Sequence, residues 1–120
     1  MSEPTPPAVD PSMLAELLAV SGDGESTLLD EMIDLFTEDS LKRLDALGAA
    51  VRSGDGVEVA EVAHSLKGSC SNFGAHLLEK KCKELELAAR AGNFAQVVVS
   101  LDEVAREVNR VLAALEQARS

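Results

Sequence analysis

His64, Lys67 and Gly68 stand zero, three and four places along the run His64-Ser65-Leu66-Lys67-Gly68-Ser69-Cys70-Ser71-Asn72-Phe73-Gly74. One imidazole, one ammonium a helical turn further on and several small residues suit a histidine that carries a phosphoryl group. The ring is the nucleophile, the cation offsets added negative charge, and small neighbours let another protein's active-site mouth come close. Gly68 has no side chain and Ala60, four residues before His64, has only a methyl. A glycine inside a helix costs about 1 kcal/mol relative to alanine, which asks for a compensating reason. Close approach of a partner is one; a helix flaw or tight helix packing is the alternative. The Ser69 and Ser71 hydroxyls are suited either to backbone carbonyls of the preceding turn or to a phosphoryl oxygen.

The residues that position this set read as a helix. Val59, Val62, Ala63, Leu66, Cys70 and Phe73 fall within about 100° of one another on a helical wheel, which predicts one core-facing stripe. His64 lies roughly 140° from the centre of that stripe, with Ala60, Lys67, Gly68 and Ser71 on the same outward sector. Its ring is therefore expected to face water. An exposed imidazole is largely unprotonated at neutral pH and hence nucleophilic, so no local general base is required.

The segment Ala63-His64-Ser65-Leu66-Lys67-Gly68-Ser69, followed by Gly74-Ala75, resembles the signature of the histidine phosphotransfer (HPt) domain of multistep two-component phosphorelays. The likeness implies an all-α, up-down antiparallel four-helix bundle with a short N-terminal covering helix. It implies that His64 takes a phosphoryl group from a receiver-domain aspartate and returns it to another. Phosphoryl transfer depends chiefly on positioning and charge stabilisation, usually with magnesium and a cationic clamp. This chain shows no phosphate-binding glycine loop and no magnesium site beside His64. The resemblance thus implies a carrier rather than an enzyme, without a cofactor of its own, the receiver bringing magnesium and catalysis.

The same resemblance implies response-regulator receiver domains as partners, with a hybrid histidine kinase as a further one. Docking is expected on the helix that carries His64 and on the long helix before it, with Leu28, Leu35, Val57, Ala60 and Glu61 at the contact. Leu35, at the edge of its helix's apolar face, is expected to be covered by the first helix, whereas Leu41 falls well outside that face. A side chain from the following helix is expected near the imidazole. Lys83, Glu86 and Arg90 share a polar sector there. Glu86 suits an acceptor for the imidazole N–H, and Arg90 or Lys83 suits assistance to Lys67, with Ser71 as a further support. A merely solvated helix face is the alternative for all of them.

His76 serves as an internal control, because Glu79 and Lys80 follow it at three and four residues. A carboxylate occupies the offset that carries the cation beside His64, so His76 reads as an ordinary polar residue. From another class, the competing reading is a non-phosphorylated helical adaptor that binds a receiver domain. Retention of His64 together with Lys67 disfavours it. A kinase is disfavoured because 120 residues leave no room for a nucleotide-binding domain beside the bundle.

Tyrosine and tryptophan are absent and there are three phenylalanines, which with abundant Leu, Val and Ala is the composition of an aliphatic helical bundle. Twenty-one acidic against 11 basic residues, a formal charge of −10, argue against nucleic-acid binding, as does the lack of stacking aromatics. No apolar run approaches about twenty residues, so no membrane span and a cytoplasmic location are expected; a closed bundle makes a monomer the simplest expectation. Cys70 and Cys82 both lie on apolar faces and read as buried thiols, and no cysteine or histidine cluster has zinc-ligand spacing.

The first residues, with all four prolines between Met1 and Ser12, read as a disordered tail over 1–11, leaving 12–120 as one bundle domain. Asp10-Pro11 starts a short helix through about Val20, closed by Ser21-Gly22-Asp23-Gly24. A long amphipathic helix follows from about Glu25 to Arg52. Asp55 with Glu58 resembles a capping box and opens the helix of His64, expected to reach Phe73. A fourth helix from about Gly74 ends at Gly92, and Asn93 with Gln96 starts a fifth. The fifth carries Phe94, Val97, Val98, Leu101, Ala105, Val108, Val111, Leu112 and Leu115 on its apolar face. Short connections between long helices favour antiparallel neighbours.

Overall fold

A computed structural model of the chain describes residues 5–21 and 27–119. Among them run α1 (Pro11–Ser21), α2 (Thr27–Arg52), α3 (Gly56–Ser69), a single 3-10 turn (Cys70–Phe73), α4 (His76–Arg90) and α5 (Phe94–Ala118), with no strand. The expected break at Gly22-Asp23-Gly24, the start at Glu25 and the first four residues lie outside the described residues.

The helix starts follow local chemistry. Asp55 accepts the Glu58 backbone N–H at 3.1 Å and Asn93 accepts that of Gln96 at 3.2 Å, each satisfying a donor that the first turn leaves open. The Asp10 carboxylate does the same for Ser12 at 2.9 Å. The helix of His64 stops being α-helical sooner than expected, at Ser69, and tightens into the 3-10 turn before Gly74. Gly74 holds φ 63°, the left-handed region that ends helices, and the Ala75 N–H closes back on the Cys70 carbonyl at 3.1 Å.

The long helices pack in a ring, α2 on α3, α3 on α4, α4 on α5 and α5 on α2, while α1 lies on α2 and the 3-10 turn. Each long helix therefore buries a broad stripe against two neighbours, which is the four-helix bundle with its covering helix. Leu29, Ile33, Leu47, Leu66, Leu78 and Leu85 have no exposed surface, and Phe36 meets Phe73 edge-on with ring centroids 5.7 Å apart. Cys70 and Cys82 are both buried free thiols. A hydrogen bond that the Cys82 thiol donates to Cys70, together with burial, pushes the Cys82 thiol far above the ordinary range.

Several positions depart from the expectations read in the sequence. Ala8 and Val9, assigned to a tail over 1–11, are buried, the Asp10 N–H donates to the Phe73 carbonyl at 3.0 Å, and Arg110 donates to the Pro6 carbonyl at 2.6 Å. The packed chain thus begins before α1, because two apolar side chains at the bundle's end are covered once the backbone is tied to the 3-10 turn. Leu35 is 68 % exposed rather than covered by α1, whose Leu14 and Leu17 pack on the core instead. Val98 is exposed, and Val104 takes a buried place on α5 that the sequence reading left unassigned.

Candidate functional site

The site forms where α3 and α4 run side by side. Their backbones come close at one end: a Cβ placed on Gly56 would lie 3.2 Å from the Ala89 carbonyl. Ala60 is 1 % exposed and Ala63 fully buried, so methyl groups rather than long side chains fill the seam. This corrects Ala60 as a docking residue, since the wheel placed it beside His64 on the outward sector. The buried face of α3 is widened by α4, which covers Ala60, and half-buried Val62 marks the stripe's other margin.

Close seam packing brings an α4 carboxylate onto the α3 histidine. His64 Nδ1 lies 3.2 Å from Glu86 Oε1, with the histidine side chain 61 % exposed and the glutamate side chain 11 % exposed. Lys67 Nζ stands 3.6 Å from the same Oε1. The other oxygen, Oε2, accepts from Arg90 Nε at 3.1 Å and from Arg90 Nη2 at 2.9 Å. Glu86 is therefore not a solvated surface residue but a buried hub with three partners. Burial alone would push its carboxyl up; the Arg90 hydrogen bonds, the His64 contact and the Lys67 charge outweigh that and hold it below the usual carboxylate value.

An ionised carboxylate has no proton to donate, so the 3.2 Å contact requires the hydrogen on His64 Nδ1. In the neutral ring that leaves the lone pair on Nε2. The imidazole is thus held in one tautomer and one orientation from below, while its face toward solvent stays open. Lys67, with 26 % of its side chain exposed, leans on Glu86 at rest beside the ring rather than standing free in water.

Gly68 is exposed, and a Cβ built on it meets nothing within 4 Å. Helix packing does not explain this glycine, so the open surface beside the ring is what its missing side chain produces. Ser71 donates to the Gly68 carbonyl at 3.3 Å, and Ser69 to the Ser65 carbonyl at 3.3 Å and to Asp39 at 3.4 Å. Both hydroxyls take the backbone alternative, and Ser71 is committed there rather than to the imidazole. Lys83 is exposed and lines a shallow groove with Lys67, His76, Glu79 and Lys80.

Of the expected docking residues, Leu28, Leu35 and Val57 are exposed apolar side chains and Glu61 is exposed. Leu35 borders a cleft of about 200 Å³ between α2 and the 3-10 turn, with Met32, Asp39, Ser69 and Asn72 among its walls. Val57 edges a separate groove beside Arg90 and Phe94. His76 carries no comparable support: its nearest carboxylates are Asp10 at 3.8 Å and Glu79 at 4.0 Å. Among the described residues no group of three or more His, Cys, Asp or Glu side chains is placed to hold a metal ion. None of the described helices is long and apolar enough to cross a membrane. The link from Glu86 to Lys67 was not read from sequence, although Glu86 and Arg90 four residues apart were a legible helix pair.

Fold and site together define a helical bundle that presents one braced histidine to solvent. The Hpt domain model matches residues 31–119, and the chain belongs to the Hpt domain family. It is similar to sensor protein TorS of Escherichia coli K12, 34 % identical over 88 residues, which is 73 % of this chain and 9 % of TorS. It is similar also to histidine-containing phosphotransfer protein 2 of Arabidopsis thaliana, 29 % identical over 92 residues, covering 74 % of this chain and 59 % of that protein. The chain thus spans only part of both relatives. The crystal structure of histidine-containing phosphotransfer protein B from Pseudomonas aeruginosa PAO1 superposes with a TM-score of 0.80 at 37 % identity, covering 94 % of this chain and 95 % of that one. The maize protein ZmHP2 shares the fold, with a TM-score of 0.75 at 24 % identity over 92 % of this chain and 86 % of its own.

Proposed function

We propose that this chain is a phosphoryl carrier of a multistep two-component phosphorelay, with His64 as the residue that takes and returns the phosphoryl group. The observation that carries the reading is the exposed His64 ring whose Nδ1 rests on the buried Glu86 carboxylate, with Lys67 alongside. Nε2 attacks the phosphorus of a receiver phosphoaspartate. Lys67 supplies positive charge to the incoming phosphoryl oxygens, and Gly68 leaves room for the receiver's active-site mouth. Leu28, Leu35, Val57 and Glu61 serve as docking contacts. The receiver supplies magnesium and the catalytic groups; a second receiver or a hybrid histidine kinase completes the exchange. The carrier works as a cytoplasmic monomer.

The test mixes the purified chain with a phosphorylated receiver and magnesium and follows the phosphoryl group by intact mass and acid lability. His64→Gln and His76→Gln run in parallel. An acid-labile phosphoryl group that is lost only in His64→Gln is the expected result. No transfer to the folded wild-type chain across a panel of receivers would overturn the carrier reading in favour of a docking adaptor.

A further inference from the structure

The chain carries 21 acidic residues against 11 basic ones, so a place where cations gather without partners needs a physical reason. Most of its lysines and arginines are held by a carboxylate: Lys42 by Glu38, Arg43 by Asp39, Lys81 by Glu103, Arg90 by Glu86, Arg106 by Asp102 and Arg110 by Glu107. Lys80 and Lys83 differ. Both are exposed on α4 at neighbouring positions of one helix face, and neither makes an ion pair among the described residues. The carboxylates nearest to them along the helix are turned elsewhere: Glu79, four residues before Lys83, approaches His76 at 4.0 Å, and Glu84, four after Lys80, approaches Lys81 at 4.0 Å. Both lysines line one shallow groove with Lys67, the cation that flanks His64. Like charges at this spacing repel each other, and an anionic surface laid into the groove relieves the repulsion.

The opposite sign lies on the other side of the ring. Glu61 precedes His64 by three residues and Lys67 follows it by three, which puts them about 60° to either side of it around α3. The Lys67 side faces α4, since Lys67 Nζ meets Glu86 of that helix at 3.6 Å, and the Glu61 side is the one toward α2. Glu61 is exposed and makes no ion pair among the described residues. His64 thus stands between a negative flank and a positive one. We propose, on the basis of the carrier reading, that the groove of Lys67, Lys80 and Lys83 is a docking strip for an acidic surface of the partner receiver, which carries the contact beyond α2 and α3 onto α4 and selects partners, and their orientation over His64, by charge. An open groove walled by flexible ammonium side chains fits a broad acidic surface better than a small anion, which is held by enclosure. Charges so placed act chiefly on the rate and direction of encounter and on the exclusion of wrong partners.

The test uses the full chain and the receiver that passes its phosphoryl group to it in the transfer assay. Lys80→Gln together with Lys83→Gln removes two positive charges, and Arg106→Glu, on the exposed face of α5, lowers the net charge by the same amount away from the groove. Urea midpoints establish that each chain is folded. The double variant is expected to bind the receiver about fivefold more weakly at low salt, through a slower association rate with dissociation little changed. That difference is expected to close between about 0.05 M and about 0.5 M salt, while Arg106→Glu stays within about twofold of wild type throughout. Unchanged binding by the double variant, an equal loss in Arg106→Glu, or a loss that persists at high salt would each overturn the groove's role. Self-association of the wild-type chain that the double variant abolishes, with receiver binding intact, would assign the groove to a second copy and overturn the proposal. Failure of every receiver to transfer to wild type would overturn the carrier reading itself, and with it the receiver as occupant.

Discussion

The Lys67 ammonium lies 3.6 Å from Glu86 Oε1, so the cation that flanks His64 is engaged by a carboxylate before any phosphoryl group arrives. On the carrier reading proposed above, an incoming phosphoryl group competes with Glu86 for Lys67 and does not meet a free charge. That competition limits how much Lys67 contributes. Lys67→Ala is expected to slow phosphoryl transfer to His64 by about tenfold, the loss of one partly screened charge contact, with binding of the unphosphorylated receiver little changed. Single-turnover transfer set against a receiver binding titration separates the two effects.

Gly68 separates stability from function. A methyl there meets nothing within 4 Å, so Gly68→Ala is expected to raise stability by about 0.5–1 kcal/mol through helix propensity alone. Gly68→Gln fills the open surface and is expected to weaken receiver docking by at least about tenfold with the fold intact. Urea unfolding and a receiver binding titration read these outcomes, and unaltered docking by Gly68→Gln would show that the partner does not approach this surface.

Gly74 should behave in the opposite way. Its φ is 63°, and a Cβ would stand 2.5 Å from Asp10 Cβ and 2.7 Å from Met13 Sδ. Gly74→Ala is expected to cost about 2–3 kcal/mol, since backbone strain adds to displacement of the N-terminal segment from the 3-10 turn. A lowered thermal midpoint would accompany faster amide exchange at Asp10, whose N–H is bonded to the Phe73 carbonyl.

The Glu86 carboxyl is held below its ordinary value of 4.5 in the folded chain. A depressed carboxyl contributes stability that is present above the unfolded value and is lost as pH falls through the folded one. Wild type is accordingly expected to exceed Glu86→Gln by about 1 kcal/mol at neutral pH, with the difference shrinking once the pH drops below about 4.5. Urea midpoints of both chains at neutral and strongly acidic pH check the sign. A gap that widens on acidification would contradict it.

Much of the bundle was legible in the chain itself. Asp55 and Asn93 announce helix starts by side-chain chemistry that acts within three residues, and each accepts the expected backbone N–H. The exposed place of His64 followed from the angle it makes with Ala63 and Leu66 on its own helix. Such features are local, and local sterics and hydrogen bonding decide them whatever packs alongside.

What lies between helices was decided by the tertiary structure. A helical wheel gives a residue's angle about its own axis but not which neighbour covers that angle. Ala60 therefore read as outward until α4 was seen to close over it, and Leu35 read as covered although α1 leaves it exposed. Ala8 and Val9 sit in a proline-rich stretch with no periodicity, and are buried only because the bundle's end offers them a surface. Glu86 is the strongest case. Its residue type named it an acceptor, but its burial, its ionised state and its simultaneous hold on His64, Lys67 and Arg90 depend on a seam that brings together residues 22 apart in sequence. The sequence by itself determined that His64 stands on the outward side of an amphipathic helix, one turn before Lys67. Only the approach of α4 to α3 determined which nitrogen of that histidine keeps a free lone pair, because the carboxylate that holds the other nitrogen's proton comes from across the seam.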